Sequence, residues 1–207
     1  MQITNMPSGM LGVNTYFVVD EETNKAFLVD PGAWNIKMRD HVLSSGAELV
    51  AVILTHGHAD HIMGVPSVLG DFPGAEVVAH EQERDMLSDT GFNMSEQFGS
   101  PTVIQADRWV KDGDTMTIGN LELTFFFTPG HSPGGMCIYL EKEGVLFSGD
   151  TLFQASIGRT DFPGCSFPAL AEAIHKKLFV LPDDTQVLPG HMGTTTIGFE
   201  TEHNPFV

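Results

Sequence analysis

The sequence Thr55-His56-Gly57-His58-Ala59-Asp60-His61 places three histidines and one aspartate within six positions, directly after the apolar run 50–54. Imidazole nitrogens and carboxylate oxygens are the ligands that zinc and other divalent first-row metals bind. Burying these groups together without a cation would desolvate them at a large cost in free energy. The segment therefore predicts a metal site, against the alternative of ordinary core or solvent-facing histidines in a loop.

The spacing of these side chains indicates two ions. Residues 50–54 are typical of a buried strand, and continuing its two-residue period places His56 and His58 on one face, where both can bind one ion. On a helix the two side chains would point about 200° apart. Asp60 and His61 follow in a different local structure and face another direction. They are therefore predicted to serve a second ion beside the first.

Three further candidate ligands lie just beyond predicted strands. His131, Asp150 and His191 each follow a strand through a short turn that contains glycine. Strand ends hold side chains at fixed positions, and glycine allows a close backbone approach around an ion. Each histidine can supply one imidazole, and Asp150 can bridge both ions because a carboxylate has two oxygens. One Pro-Gly-His alone fits a plain turn equally well, but the three sites together complete two coordination spheres.

Composition limits the class of protein. With 207 residues, 42% of them hydrophobic, the chain is expected to form one domain, residues 1–207, in two interleaved halves of roughly 1–108 and 109–207. A formal charge of -17 without a basic cluster argues against a nucleic-acid partner. No stretch is typical of an export signal or a membrane span, and two cysteines are too few for a disulfide framework. We therefore expect a cytoplasmic protein without a membrane partner.

Short strands are predicted to alternate with helices along the chain. Strands are expected at 14–19, 26–29, 50–54, 75–79, 115–118, 121–128, 136–140, 145–147 and 186–188, and helices at 36–45, 81–87 and 168–181. Residues 90–108 are expected to form an irregular surface connection that could border a site.

Four motifs resemble those of the metallo-β-lactamase superfamily: HxHxDH at 56–61, PGHS at 129–132, GDTLF at 149–153 and PGH at 189–191. The resemblance spans nearly the whole chain from Asp30 onward. Within the superfamily, GRTDFPG at 158–164 and the tail at 195–206 are similar to short bacterial glyoxalase II-like proteins, that is, hydroxyacylglutathione hydrolase-like proteins. The resemblance implies an α/β (α+β) fold, a four-layer αββα sandwich with metals at one edge between the sheets and no added C-terminal helical domain.

The resemblance also implies, position by position, two ligand sets joined by a shared carboxylate: His56, His58 and His131 for the first ion, Asp60, His61 and His191 for the second, and Asp150 as the bridge. The implied cofactor is a pair of divalent ions. Zinc is the expected metal, and iron and manganese accept the same ligands. Asp60 and Asp150 are the predicted catalytic residues.

The metal pair predicts hydrolysis of a small acyl-thiol. Attack of a metal-bound hydroxide on an acyl carbon is the expected reaction. A thiol has a pKa of about 8.5, so its thiolate leaves without a dedicated acid. A thioester such as S-lactoylglutathione or a related acyl-thiol is therefore the expected substrate. Arg159 lies where the family resemblance places a substrate-binding lysine, and it can pair with a substrate carboxylate. The alternative is an ion pair with Asp161 that orders the loop.

Three other functions stay open from the sequence. A persulfide dioxygenase with one iron would need only His56, His131 and Asp150, and His191 argues against it because that residue would have no purpose. A second possibility is a hydrolase of another ester, a lactone or an amide. The third is a metal-binding module without catalysis, which the intact ligand set disfavours.

Overall fold

Two six-stranded sheets form the centre of the molecule in a computed structural model that describes residues 1–207. The first sheet contains, in spatial order, β1 (Gln2–Ser8), β2 (Val13–Asp20), β3 (Lys25–Val29), β4 (Glu48–Ile53), β5 (Glu76–His80) and β6 (Arg108–Val110). The second contains β14 (Thr195–Thr196), β13 (Gln186–Pro189), β10 (Val145–Gly149), β9 (Met136–Leu140), β8 (Leu121–Phe127) and β7 (Thr115–Ile118). A short hairpin of β11 (Leu152–Phe153) and β12 (Ser156–Ile157) stands apart from both sheets.

Strand direction decides which loops meet. The strands β3, β4, β5 and β6 run parallel to one another, so the segments after their carboxyl ends leave the sheet at the same edge. In the second sheet, β10 and β13 are also parallel, whereas the other pairs are antiparallel. The segments that follow β10 and β13 therefore also leave their sheet together.

Helices cover the outer face of each sheet. The helices α1 (Ile36–Ser45), α2 (Ala59–Ile62), α3 (Val65–Asp71) and α4 (Arg84–Ser88) contribute apolar side chains to a core on the outside of the first sheet. The helices α5 (Phe167–Ala173) and α6 (Ile197–His203) do the same for the second sheet. A third core lies between the sheets and joins residues such as Phe27 and Ile53 to Phe125 and Phe147. The layers are helix, sheet, sheet and helix, as expected for the αββα fold.

Several elements were not predicted from the sequence. The edge strand β1 is only partly buried, and β6 and β14 have three and two residues, so none has a long apolar run. The helix α3 begins at Val65, after Gly64 as its N-cap, with Pro66 in its first turn, where a proline is tolerated. The expected helix at 168–181 is instead α5 followed by a π-helical turn at Ile174–Leu178. No helix has the length and apolar character needed to cross a lipid bilayer.

Candidate metal centre

All seven candidate ligands meet at one edge of the sandwich, between the two sheets. His56 and His58 follow β4, and Asp60 and His61 lie in α2 directly after them. The remaining three come from the second sheet, where they follow β8, β10 and β13: His131, Asp150 and His191. The parallel pairing of β10 with β13 explains why residues 41 positions apart in the sequence end side by side.

The first group of ligand atoms consists of three buried imidazole nitrogens. His131 Nε2 lies 2.9 Å from His58 Nδ1 and 3.2 Å from His56 Nε2. His131 Nδ1 donates a hydrogen bond to the carbonyl oxygen of Arg159 at 2.8 Å. Because a neutral imidazole carries one proton, this bond leaves a lone pair on His131 Nε2. The nitrogen therefore presents an electron pair to its neighbours, as a metal ligand must.

The second group combines two imidazoles with a carboxylate. Asp60 Oδ2 lies 3.1 Å from His191 Nε2 and 3.7 Å from His61 Nε2. Asp150 stands between the two groups and directs one oxygen toward each. Its Oδ1 lies 3.4 Å from His61 Nε2, and its Oδ2 lies 3.5 Å from His131 Nε2. This is the arrangement that a bridging carboxylate requires.

The donor atoms fit a pair of cations. His61 Nε2 and Asp150 Oδ1 are both buried, and neither has a hydrogen-bond partner. His61 Nδ1 donates to the Asp30 carboxylate at 2.9 Å, so in the neutral ring Nε2 is an acceptor that faces another acceptor across 3.4 Å. Two buried acceptors facing each other are unfavourable without a positive charge between them. A divalent ion would satisfy both.

The pKa values of the histidines differ between the two ligand groups. Burial, and then the neighbouring imidazoles, lower the pKa of His58 to about 3 and hold that of His56 well below its usual range. Burial also lowers the pKa of His131. Burial alone would lower the pKa of His61, but the carboxylates of Asp60, Asp150 and Asp30 outweigh it and raise the pKa to about 10. The first group is therefore neutral and ready to bind. The carboxylates around His61 stabilise a positive charge at its ring, which a proton supplies in the absence of an ion and a bound cation would supply in its place.

Two buried carboxylates that the sequence analysis did not select hold these ligands in place. The first is Asp30, at the end of β3, with a left-handed backbone at φ +49°. Its oxygens accept hydrogen bonds from the Thr55 backbone N–H at 2.8 Å, the Thr55 hydroxyl at 2.6 Å and His61 Nδ1. Because its oxygens are occupied by these donors, Asp30 orients His61 instead of joining the ligand set. Its position beside β4 in a parallel sheet is the signal that could have identified it.

The second is Glu83, which is fully buried and connects the two loops that carry the first ligand group. Its Oε2 accepts from the Gly57 N–H at 2.8 Å, and its Oε1 accepts from the Ser132 hydroxyl at 2.6 Å and the Gly134 N–H at 2.5 Å. A Cβ on Gly57 would lie 2.8 Å from Oε2, and one on Gly134 would lie 2.5 Å from the Glu83 nitrogen. Both glycines are therefore needed for the carboxylate to approach the loops.

A cavity of about 340 Å³ opens beside the ligands, and Arg159 lies in its wall. The Arg159 guanidinium donates from Nε and Nη2 to the two carboxylate oxygens of Asp161, both at 2.7 Å, and it lies 3.9 Å above the ring of Phe162. Of the two roles considered from the sequence, the structure contains the local ion pair. The other four histidines supply no atom to either ligand group: His41, His80, His175 and His203.

The paired ligand groups predict that metal removal destabilises the folded chain. Stripping the protein with a chelator should lower its melting temperature by about 10 °C, because ions present at about a thousand times their Kd contribute about 4 kcal/mol and each kcal/mol corresponds to about 2–4 °C in a chain of this size. Thermal unfolding followed by circular dichroism before and after dialysis measures the shift, and added zinc should reverse it. An identical melting temperature in both states would contradict binding at this centre.

Comparison with known proteins identifies relatives along the whole chain. The family model described as the metallo-beta-lactamase superfamily matches residues 8–191. Hydroxyacylglutathione hydrolase GloC of Haemophilus influenzae is 32% identical, with 100% of this chain and 98% of that protein covered. Among solved structures, BLEG-1 B3 metallo-beta-lactamase is 39% identical with a TM-score of 0.92, covering 99% of each chain. TTHA1623, solved in a di-iron-bound form, is 31% identical with a TM-score of 0.87, covering 99% of this chain and 100% of that one.

Proposed function

Because the chain belongs to the metallo-beta-lactamase superfamily and is a metal-dependent hydrolase, we propose that it binds two divalent ions and cleaves the thioester bond of a small acyl-thiol, such as S-lactoylglutathione. The observation that carries the proposal is the pair of buried atoms His61 Nε2 and Asp150 Oδ1, which face each other across 3.4 Å beside the cavity, each without a hydrogen-bond partner. Whole-length similarity to a hydroxyacylglutathione hydrolase supports the choice of a thioester.

The proposed reaction needs an attacking oxygen and a polarised carbonyl. A bound divalent ion would supply both, since it would lower the pKa of a coordinated water to about 7 and act as a Lewis acid. His56, His58 and His131 would hold one ion, Asp60, His61 and His191 the other, and Asp150 would hold both. Zinc is the proposed metal, and the di-iron form of TTHA1623 supports iron as the alternative.

The chain's own residues then orient the ligand rings and accept the proton of the attacking water. Burial would raise the pKa of Asp60, but His61 and His191 outweigh burial and hold the pKa below its usual range. Asp60 is therefore ionised at neutral pH and lines the cavity, where it can accept a proton from the attacking water. Asp30 and the Arg159 carbonyl fix the ring orientations of His61 and His131. No residue has to protonate the departing thiolate.

Hydrolysis of an amide, such as a β-lactam, is the second candidate, favoured by the 39% identity to BLEG-1. An amine needs a proton to leave, whereas a thiolate does not. Outside the candidate ligands, Arg159 is the single polar residue in the cavity wall, and a guanidinium does not give up a proton at neutral pH. An amide would therefore depend on Asp60 to pass on the proton that it accepts from the attacking water, whereas a thioester needs no such step.

The decisive experiment measures metal content and turnover on the same sample. Bound metals per chain are counted by mass spectrometry, and loss of thioester absorbance is followed with S-lactoylglutathione beside a chromogenic β-lactam. We expect two metals per chain and turnover of the thioester. Two metals without thioester turnover would contradict the substrate assignment. One iron per chain, together with oxygen consumption when a persulfide is the substrate, would instead favour the dioxygenase.

We expect Arg159→Ala to raise the KM for S-lactoylglutathione by about two- to fivefold with little change in kcat, because an exposed ion pair with a substrate carboxylate contributes about 0.2–1 kcal/mol. Steady-state kinetics at fixed ionic strength measure the change. Asp161→Ala is the matched control, since it frees the guanidinium and should leave KM equal or lower. If KM does not respond to Arg159→Ala, the residue orders its loop and does not contact the substrate.

A further inference from the structure

The cavity beside the metal centre has an apolar wall. Of the 13 residues that line it, seven are hydrophobic, and five of the six polar ones are candidate metal ligands. Arg159 is the one polar residue left to contact the rest of a substrate. The parts of a substrate that lie beyond its reacting carbonyl must therefore pack against side chains such as Phe98, Ile157 and Phe162.

Apart from the ions that the candidate ligands would hold, positive charge is scarce around the cavity. Arg159 is the only one of the ten lysines and arginines that lines it. The Arg159 guanidinium is already paired with both oxygens of Asp161 and covered on one face by Phe162. The whole chain carries a formal charge of -17, which repels anions over a longer range. A substrate with several carboxylates therefore gains little binding free energy from Arg159, and the negative charge of the chain repels it as it approaches.

The mouth of the cavity exposes large apolar side chains. Leu11 is 56% exposed and Met192 is 60% exposed, although most large hydrophobic residues of the chain are buried. Met94 and Met192 both line the cavity with left-handed backbones, at φ +67° and +68°, a conformation that residues other than glycine rarely adopt. Exposed apolar surface and strained backbone both concentrate at ligand sites. Methionine suits such a site because its flexible side chain packs against apolar groups of varied shape.

Resting on the proposed thioester hydrolysis, we propose that the preferred substrates are uncharged, apolar acyl-thiols: a medium-length acyl chain on a short thiol carrier without carboxylates. The acyl chain packs against Met94, Phe98, Phe162 and Met192 while its carbonyl faces the ligands. A cavity of about 340 Å³ lies at the small end of the usual range for ligand pockets, about 300–1,000 Å³, which favours a compact substrate over a large cofactor thioester.

Four substrates test the proposal: acetyl and hexanoyl thioesters of N-acetylcysteamine, which is neutral, and of glutathione, which carries two carboxylates. On the neutral carrier we expect kcat/KM to rise about fourfold per methylene, or about 250-fold from acetyl to hexanoyl. With the same hexanoyl group, the neutral carrier should exceed glutathione by at least about tenfold at low ionic strength, and added salt should narrow the difference. Equal values for the two acyl groups, or a preference for glutathione at low salt, would overturn the proposal.

A binding measurement separates this proposal from the proposed function. The thioethers S-hexyl-N-acetylcysteamine and S-hexylglutathione are not cleaved, so calorimetry with the metal-loaded protein compares them even if no thioester is hydrolysed. Tighter binding of the neutral thioether, without turnover of any thioester, would support the apolar cavity and contradict thioester hydrolysis. Turnover of thioesters without a preference in chain length or carrier would support thioester hydrolysis and contradict the preference for apolar substrates.

A pair of variants locates the effect. Met192→Gln keeps the length of the side chain but places an amide in the wall, and it should lower the ratio of hexanoyl to acetyl kcat/KM by about fivefold. Met10→Gln makes the same change at a residue that is 73% exposed and outside the cavity, so its ratio should equal that of the parent protein. If both variants keep the parent ratio, the acyl chain does not pack against Met192 and the proposal is wrong.

Discussion

Asp150→Ala is expected to remove both metal ions and to lower kcat/KM by at least about a thousandfold. The carboxylate directs Oδ1 toward His61 and Oδ2 toward His131, so one substitution takes an oxygen from each ligand group. It also leaves five imidazoles and a single carboxylate, Asp60, to hold two divalent ions. Metal content per chain, measured after gel filtration in metal-free buffer, should fall from two to below one.

The matched control is Asp184→Ala, which removes an exposed aspartate that lies two residues before β13 and whose side chain makes no hydrogen bond. It should keep two metals and full activity. Asp150→Asn tests the charge separately, because the amide keeps one acceptor oxygen in nearly the same shape. If the Asp150→Ala protein still binds two ions per chain, Asp150 does not bridge them, whatever the activity of the variant.

The candidate ligands could be selected from the sequence, and the structure brings them together, because each stands in a recognisable local motif. His131 and His191 both stand after Pro-Gly at a strand end, and the chemistry of an imidazole is the same in every fold. The four-layer fold was predicted from the resemblance of those motifs to a known family. Hydrophobic periodicity alone predicts strands and helices but not their arrangement in space. The sheet edges β1 and β6 were missed because short or half-exposed strands have no strong apolar pattern.

Asp30 and Glu83 could not be predicted in the same way, because their roles exist only between distant parts of the chain. Asp30 acts on His61, 31 residues away, and Glu83 acts on Ser132, 49 residues away. Glu83 lies next to two other polar residues in a short 3₁₀ turn, where a glutamate normally faces solvent. Nothing in its neighbours indicates burial, and the two glycines that make room for it are far from it in sequence.

Glu83→Ala should be the most destabilising single substitution outside the ligand set. The carboxylate accepts three hydrogen bonds, and its removal leaves the Gly57 and Gly134 N–H groups and the Ser132 hydroxyl buried without a partner. Each unsatisfied donor costs about 1–3 kcal/mol, so the free energy of unfolding should fall by about 4 kcal/mol. Urea denaturation of the chelated protein measures this loss without any contribution from metal binding.

The same substitution separates a positioning role from a purely structural one. If Glu83 fixes the distance between the loops of His58 and His131, Glu83→Ala should also weaken the first ion by about 10–100-fold in a competition titration with a chromophoric chelator. Glu83→Gln, which keeps one acceptor oxygen, should recover part of both losses. Glu81→Ala, in the same turn but partly exposed and bound only to Lys111 at 3.6 Å, should change stability by less than about 0.5 kcal/mol. Normal metal affinity in a destabilised Glu83→Ala would limit the residue to folding, because the loops would then reach their positions without it.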